Sequence, residues 1–310
     1  MKLKTIYWAV STLLRYGWPK RLVTTYVGIG DELMVTAAFW ELHQRKQGRG
    51  TWFMSRYPQL WQGSGIASSV LPWNPGFYRL VERLRVPVLP IGYCGASPNP
   101  EADCPLPGHA ITNLCRQLGV SGSVDLKPHF VLSPSERKSG RHFAKQIAIQ
   151  SSNAGGAHVI PLKKWPMENF QQVAEALTAD GWGLVQLGSK DEPYIEGALD
   201  FRGKTTLREA ASVLAHSQLF IGLAGGLMHL ARAVDCPSVI IYGGREEPRM
   251  AGYSANINLV ALPACAPCYL HNHCPEGLIC MTMVGPEKVI AAARQRLAAS
   301  GPLPTESVEL

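Results

Sequence analysis

Along this chain, short apolar runs are broken by glycine-containing turns and followed by stretches whose apolar residues recur at helical spacing. The clearest case spans residues 220–244. A strand over 220–223 leads into a turn at Ala224, Gly225 and Gly226, then a short helix from about Leu227 and a second strand over 238–242, which together make a βαβ unit. Adjacent glycines at a strand-to-helix junction let the backbone approach a ligand closely. The first amides of the helix have no intrahelical partner, so the junction suits an anion such as phosphate.

The same pattern repeats on both sides. A β-branched strand over 21–27 runs into Gly28-Ile29-Gly30-Asp31 and a helical pattern from Glu32 to about Gln47. A strand near 51–54, a helix over 77–84, a strand over 86–89 and a helix over 110–118 follow, joined by long loops rich in proline and glycine that indicate a binding face. Ser133-Pro134-Ser135-Glu136 predicts a helix through about Gln150, and SSNAGG at 151–156 has the composition of a linker. A new series then starts: strand 158–162, helix 167–179, strand 182–187, and helix 206–216 with a capping box in Thr206 and Glu209. A last helix covers 287–299, and 301–310 reads as a frayed tail. The expectation is an α/β fold of two Rossmann-like, doubly wound domains, residues 1–153 and 154–310, facing one another across a cleft.

Composition agrees with two domains, since 310 residues with 46% apolar content can bury two ordinary cores. Thirty Lys and Arg against 23 Asp and Glu give a charge of +7, too dispersed for a nucleic-acid surface and unaccompanied by an aromatic RNA-binding motif. That balance suits nucleotide diphosphates or anionic lipid. At the N-terminus, Lys2 and Lys4 precede an apolar run that lacks a cleavage site and is far short of the roughly 20 residues of a membrane span. Trp8, Leu13, Leu14 and Trp18 beside Arg15, Lys20 and Arg21 fit a helix over 1–21 lying on an anionic membrane surface; a helix packed on the first domain is the alternative. Cys94, Cys104, Cys115 and Cys236 are scattered and read as reduced thiols of a cytoplasmic protein.

Candidate chemistry gathers where strands end. Gly28-Ile29-Gly30-Asp31-Glu32-Leu33 fails as a dinucleotide fingerprint: Leu33 stands at the third glycine position, and Arg56 and Tyr57 stand where an acidic ribose ligand belongs. What remains is Asp31 at a helix start, either a helix cap or a general base for an acceptor hydroxyl. Lys163 and Lys164 fall near the Gly225-Gly226 turn and are either solvated loop residues or counter-charges for a diphosphate leaving group. After the strand over 182–187, Asp191 or Glu192 can accept hydrogen bonds from ribose hydroxyls or simply face solvent. His229, in the first turn after Gly226, is either a structural histidine or a donor to phosphate, the more so when protonated. Cys265-Ala266-Pro267-Cys268, Cys274 and Cys280, with His271 and His273 near, have spacing for a structural zinc or iron ion, with packing thiols or disulfides as the other readings.

In order, GIGDELMVTAAFWEL (28–42), LKKWPMENFQQVAEAL (162–177), FRGKTTLREAASVLAHSQLFIGLAGGLMHLARAVDCPSVIIYGG (201–244) and the segment from Cys265 to Met281 resemble the family 9 glycosyltransferases, relatives of the ADP-heptose:lipopolysaccharide heptosyltransferases. The resemblance covers residues 21 to about 297 and is weakest over 58–150. It implies the GT-B arrangement, with the acceptor bound by the first domain and the sugar nucleotide by the second, and transfer with inversion that requires no metal cofactor. On that resemblance Asp31 matches the base, and Lys163 a phosphate or sugar contact. Gly226, Leu227 and His229 match the glycine-leucine-x-histidine segment, and Glu192, or else Asp191, the ribose ligand. Where many relatives carry an aspartate ahead of that glycine, this chain has Ala224 and Gly225, which bears on the donor sugar more than on the phosphate site.

The function expected from these features is transfer of a sugar, heptose from ADP-heptose first, onto a lipopolysaccharide core or related glycan at the inner membrane face. A catalytically silent nucleotide-sugar-binding or assembly protein of the same fold is the alternative, motivated by Ala224. An epimerase or hydrolase of sugar nucleotides on a similar frame is a third reading.

Overall fold

The computed structural model describes residues 11–25, 28–92, 99, 101–152, 160–299 and 301–310. Strands β1 (Arg21–Thr24), β2 (Thr51–Ser55), β3 (Ser69–Pro72) and β4 (Val88–Pro90) form a parallel sheet in the order β3-β2-β1-β4. Helices α1 (Ile29–Gln44), α2 (Pro75–Arg83) and α3 (Ala110–Gln117) accompany it. β5 (Ser123–Asp125) stands apart from it. A second sheet, also parallel, takes β6 (Gln146–Ile149), β7 (Gly183–Gln186), β8 (Leu199–Asp200), β9 (Leu219–Leu223), β10 (Ser238–Gly243) and β11 (Asn256–Val260) in the order β11-β10-β9-β6-β7-β8. Its helices are α4 (Met167–Ala179), α5 (Leu207–Ala215), α6 (Gly226–Ala233), the single turns α7 (Pro248–Ala251) and α8 (Ile279–Thr282), and α9 (Pro286–Ala298). These are two facing Rossmann-like domains.

Two sequence expectations are corrected. The helix predicted through Gln150 is absent. Its capping signal makes only a 3-10 turn at Glu136–Lys138, where Glu136 accepts the Ser133 amide at 2.7 Å. β6 follows as an inner strand of the second sheet, hydrogen-bonded to β7 and β9. The second sheet therefore begins at residue 146, which moves the boundary ahead of 153. The cause is that a strand buried on both faces is a continuous apolar run and shows no alternation to set it apart from a helix. Residues 153–156 of the predicted linker and the start of the strand predicted over 158–162 fall outside the described residues; Pro161–Lys163 is a 3-10 turn.

The second correction is the tail. β12 (Ser307–Glu309) pairs antiparallel with β5, and the Leu126 amide donates to the Glu306 carbonyl at 2.8 Å. An isolated three-residue strand leaves its backbone groups unpaired, and the end of the chain supplies the partner.

α1 is apolar nearly all round because it is covered on two sides. Phe39 meets Phe53 and Trp61 edge-on at 5.3 and 5.1 Å beneath the first sheet, while the same helix packs against α6 of the second domain. The core that includes Val35, Ala38 and Phe39 continues into Met228, Leu230 and Ala231. Truncating a ring as buried as Phe39 costs about 3–5 kcal/mol. This packing aims the N-termini of α1 and α6 at each other.

Candidate active site

In both sheets the strand order reverses beside the first strand: β2 and β4 flank β1, and β7 and β9 flank β6. Open α/β sheets bind ligands at the carboxyl ends of strands at such reversals. Gln150 follows β6 there and Ala224 follows β9, while Asp31 lies in the first turn of the helix after β1.

Asp31 does what a capping residue does. Its Oδ2 accepts the Gly28 amide at 3.0 Å. Burial pushes its carboxyl up to about 6, against the pull of the Gly28 amide and the charge of Lys163, and the carboxylates of Asp103 and Glu246 add to the rise. A carboxyl titrating there is ionised at neutral pH and basic enough to take a proton. Its neighbour Glu32 is structural: fully buried, it accepts from Ser55, from the Arg56 amide at 3.2 Å and from Trp61 Nε1 at 2.9 Å.

Lys163 comes from the second domain. Its Nζ reaches the Ala224 carbonyl at 3.3 Å and pairs with Glu246 at 2.5 Å, with only 13% of its side chain exposed. Lys164 is exposed. Lys163 lies at the glycine turn, already paired to a carboxylate.

Beside the turn lies a cavity of about 200 Å3 that brings Glu192 and Gln150 together with Ala224, Gly225, Gly226 and Leu227. A Cβ on Gly225 would meet no protein atom, so that backbone is open to an occupant, whereas one on Gly226 would come to 2.8 Å of Ile29 Cγ2 across the domain gap. Glu192 is buried. Its Oε1 accepts Gln150 Nε2 and the Ser189 amide, both at 3.0 Å, and burial raises its pKa against those bonds. A Cβ at Gly188, whose φ is +137°, would fall 2.4 Å from the Glu192 carboxylate, so glycine is required on both counts. Asp191 is exposed and outside the cavity, which separates the two acidic candidates. A larger cavity of about 370 Å3, at Trp40, His129 and Asp235, contains none of the residues named for the chemistry.

His229 is 5% exposed, and its Nδ1 lies 2.5 Å from the Tyr253 hydroxyl. Burial, with the like charges of His109 and Lys163, holds its pKa down at about 3. In this environment the imidazole is neutral, and its burial disfavours the protonated form.

The four cysteines lie within electrostatic reach of one another, since the charges of Cys268, Cys274 and Cys265 all act on Cys280. Among the described residues no group of three or more His, Cys, Asp or Glu side chains converges as ligands of one ion, and the thiols are free. Cys265 is exposed, while Cys280 is buried against Gly243 and Gly244, its thiol raised by that burial first and then by its neighbours' charges.

Sequence reasoning missed a network that closes this side of the cleft. Arg245, 1% exposed, donates to Glu246 at 2.7 Å, to the carbonyls of Leu270 and Tyr269 at 2.6 and 3.1 Å, and to Asp103 of the first domain. Asp103 also pairs with His271 at 3.0 Å; burial raises its pKa, but the bonds from Arg245 and His271 outweigh that and hold it below the usual range. The available signal was Arg245-Glu246-Glu247 directly after β10, at the sheet edge where ligands bind.

Comparisons with known proteins agree with this frame. The profile of glycosyltransferase family 9 (heptosyltransferase) matches residues 123–279, just over half of the chain. Lipooligosaccharide heptosyltransferase 2 of Haemophilus influenzae is 31% identical over 137 residues, which are 38% of this chain and 40% of that protein, so the match spans about two fifths of the relative's length. The structure of Escherichia coli ADP-heptose LPS heptosyltransferase II superposes with a TM-score of 0.63 at 18% identity, covering 89% of this chain and 98% of that one. The iron-containing dodecameric heptosyltransferase TibC, solved with ADP-D-β-D-heptose, superposes with a TM-score of 0.68 at 18% identity, covering 90% and 76%. The cleft, its glycine turn and the family profile lead to one conclusion: this chain belongs to glycosyltransferase family 9.

Proposed function

We propose that the protein transfers a sugar, heptose from ADP-heptose, onto a lipopolysaccharide core or a related surface glycan at the cytoplasmic face of the inner membrane. The observation that carries the reading is the meeting of Asp31, on one domain, with Lys163 and the Gly225–His229 helix start, on the other. In this reading the nucleotide lies in the cavity with its ribose at Glu192 and its diphosphate on the free amides of α6, whose N-terminal partial positive charge favours an anion. Asp31 takes the proton of the acceptor hydroxyl as that oxygen attacks the anomeric carbon from the side opposite the diphosphate, which inverts the centre. The C–O bond to the diphosphate breaks, and Lys163 and the α6 amides stabilise the charge that builds on the leaving group. Every step uses side chains and amides already at the cleft, so the reading is of a metal-independent enzyme.

Asp31→Asn tests it. Release of ADP from ADP-heptose in the presence of a truncated lipopolysaccharide acceptor is expected to fall by at least about 10³-fold, with ADP affinity by calorimetry unchanged within about twofold. Turnover at the wild-type rate would refute the assignment. ADP-heptose binding with no ADP release by the wild type, whatever the acceptor, would favour the silent binding protein, and release without acceptor a hydrolase.

A further inference from the structure

Tyr253 belongs to none of the sequence motifs, yet it contacts His229, the imidazole at the glycine turn. It follows α7, is 2% exposed, and sets its ring at 88° to that of His229, centroids 5.6 Å apart, with its hydroxyl 2.5 Å from Nδ1. Burial keeps the phenol protonated and the imidazole uncharged. A neutral pair has two arrangements. If Nδ1 carried the histidine proton, the Tyr253 hydrogen would be left in the interior, since among the described residues its hydroxyl has no other bonded partner. Burying an unbonded hydroxyl hydrogen costs about 1–3 kcal/mol. If Tyr253 donates to Nδ1, both groups are satisfied and the histidine proton sits on Nε2.

We infer that Tyr253 fixes His229 as its Nε2–H tautomer, so that the ring offers a neutral N–H donor to the diphosphate at the Gly225-Gly226 turn. The Cδ2 atom, which neighbours Nε2 in the ring, already lies against Gly30 at the mouth of that turn. The inference rests on the reading of the turn as the donor site. It makes Tyr253 a positioning residue, acting through His229. The tyrosine is in turn held from the other domain. His109, which caps α3, accepts the Ile111 amide on Nδ1 at 3.2 Å, so its Nε2 bears the hydrogen and donates to the Gly252 carbonyl at 2.9 Å. A relay of fixed tautomers thus runs from the first domain through residues 252 and 253 to the glycine turn of the second.

The experiment uses the full chain with 15N-labelled histidine, the His229 signals being assigned by their loss in His229→Gln. Two-bond 15N–1H correlation spectra are expected to show a protonated Nε2 and an acceptor Nδ1, and Tyr253→Phe to show exchange between both tautomers. Calorimetric titration with ADP adds a double-mutant cycle, because the Gln amide places an N–H near the Nε2 position without help from Tyr253. Tyr253→Phe is expected to weaken ADP at least fivefold in the His229 background and less than twofold in His229→Gln. An Nδ1–H tautomer in the wild type overturns the inference, as does an equal loss in both backgrounds, which a merely structural tyrosine would give. If the wild type binds no ADP, the donor-site reading falls and the diphosphate contact with it; ADP binding alongside an Nδ1–H tautomer sinks this inference alone.

Discussion

A Cβ placed on Gly30 would stand 3.3 Å from the Cα of Gly226, although the two residues belong to helices of different domains. It would also come within 2.8 Å of Cδ2 of His229, closer than real Cβ atoms approach a carbon. Nothing larger than hydrogen fits where α1 and α6 cross. Gly30→Ala is therefore expected to force the two helix starts apart, costing about 1–3 kcal/mol of stability as overpacking does. On the proposed function the larger effect falls on catalysis, because the proposed base Asp31 moves with α1 and the proposed diphosphate site stays with α6. A misplacement of about 1 Å is expected to lower kcat/KM about 10²-fold. Steady-state ADP release and the denaturant midpoint check the two parts separately, and activity within twofold of wild type would show that the helices slide without consequence.

With Asp31 as the proposed base, its carboxyl, raised by burial to about 6 from an ordinary value of 3.8, predicts the pH behaviour. A base must be ionised, so log kcat/KM should rise with unit slope up to about pH 6 and level off above it. Stability should move the other way. Below 3.8 the folded and unfolded states both carry the proton. Between 3.8 and 6 only the unfolded state loses it, so the stability contributed by this group falls as pH rises and stays low above 6. Asp31→Asn should then be more stable than wild type at pH 7.5 by about 1–3 kcal/mol, the gain vanishing near pH 4. Chemical denaturation at the two pH values reads this, and a variant less stable at pH 7.5 would show that the Gly28 cap outweighs the burial of charge.

Glu192 and Asp191 are adjacent in sequence and opposite in placement: Glu192 is 3% exposed in the cavity, and Asp191 is in solvent. Glu192→Gln is close in shape but exchanges an acceptor oxygen for a donor, and removal of a charged hydrogen-bond acceptor costs about 1.5–3 kcal/mol. ADP affinity is expected to fall at least tenfold, and affinity for inorganic diphosphate, which lacks the ribose, to stay within twofold. Asp191→Asn is expected to change neither. Equal losses for the two variants would place the ribose elsewhere.

Much of this architecture is legible in local pattern because parallel strands are apolar runs that end in glycine and feed helices, and the candidate residues Asp31, Lys163, Glu192 and His229 were found by their positions near such ends. Three features were not. β6 is buried on both faces and follows a helix-capping signal, so its neighbours in sequence point to the wrong element. β12 is a strand only because β5, more than 180 residues earlier, needs a partner. The Arg245–Asp103 pair joins residues 142 positions apart across the domain gap, and its strength comes from the planar guanidinium serving two carboxylates and two carbonyls at once, a geometry that spacing cannot encode. Local sequence thus announces what one βα unit does alone, and tertiary contact decides what the units do to each other.

The basic, aromatic N-terminal segment bears on where the protein works. Residues 1–10 lie outside the described part, but 11–16 are helical, and Leu14, Trp18 and Tyr16 are 83%, 57% and 44% exposed beside the exposed cations Arg15 and Lys20. The segment is anchored, since Tyr16 meets Trp52 edge-on at 6.2 Å, so its exposed side chains are held outward. No described helix is long and apolar enough to cross a membrane. Apolar side chains flanked by cations are the surface that an anionic bilayer binds, each basic residue near the headgroups adding about 1 kcal/mol and each buried leucine or tryptophan about 1.5–3. The double variant Leu14→Glu, Trp18→Glu is expected to lower partition onto phosphatidylglycerol vesicles at least tenfold at about 0.15 M salt, where screening reaches about 8 Å and leaves direct contacts in force. Its thermal midpoint should stay within about 2 °C of wild type, because neither side chain is buried in the fold. Sedimentation with vesicles measures it, with uncharged phosphatidylcholine as the comparison. Equal partition of wild type and variant would assign the segment to packing on the first domain instead, and stronger binding to the uncharged vesicles would remove the electrostatic half of the reading.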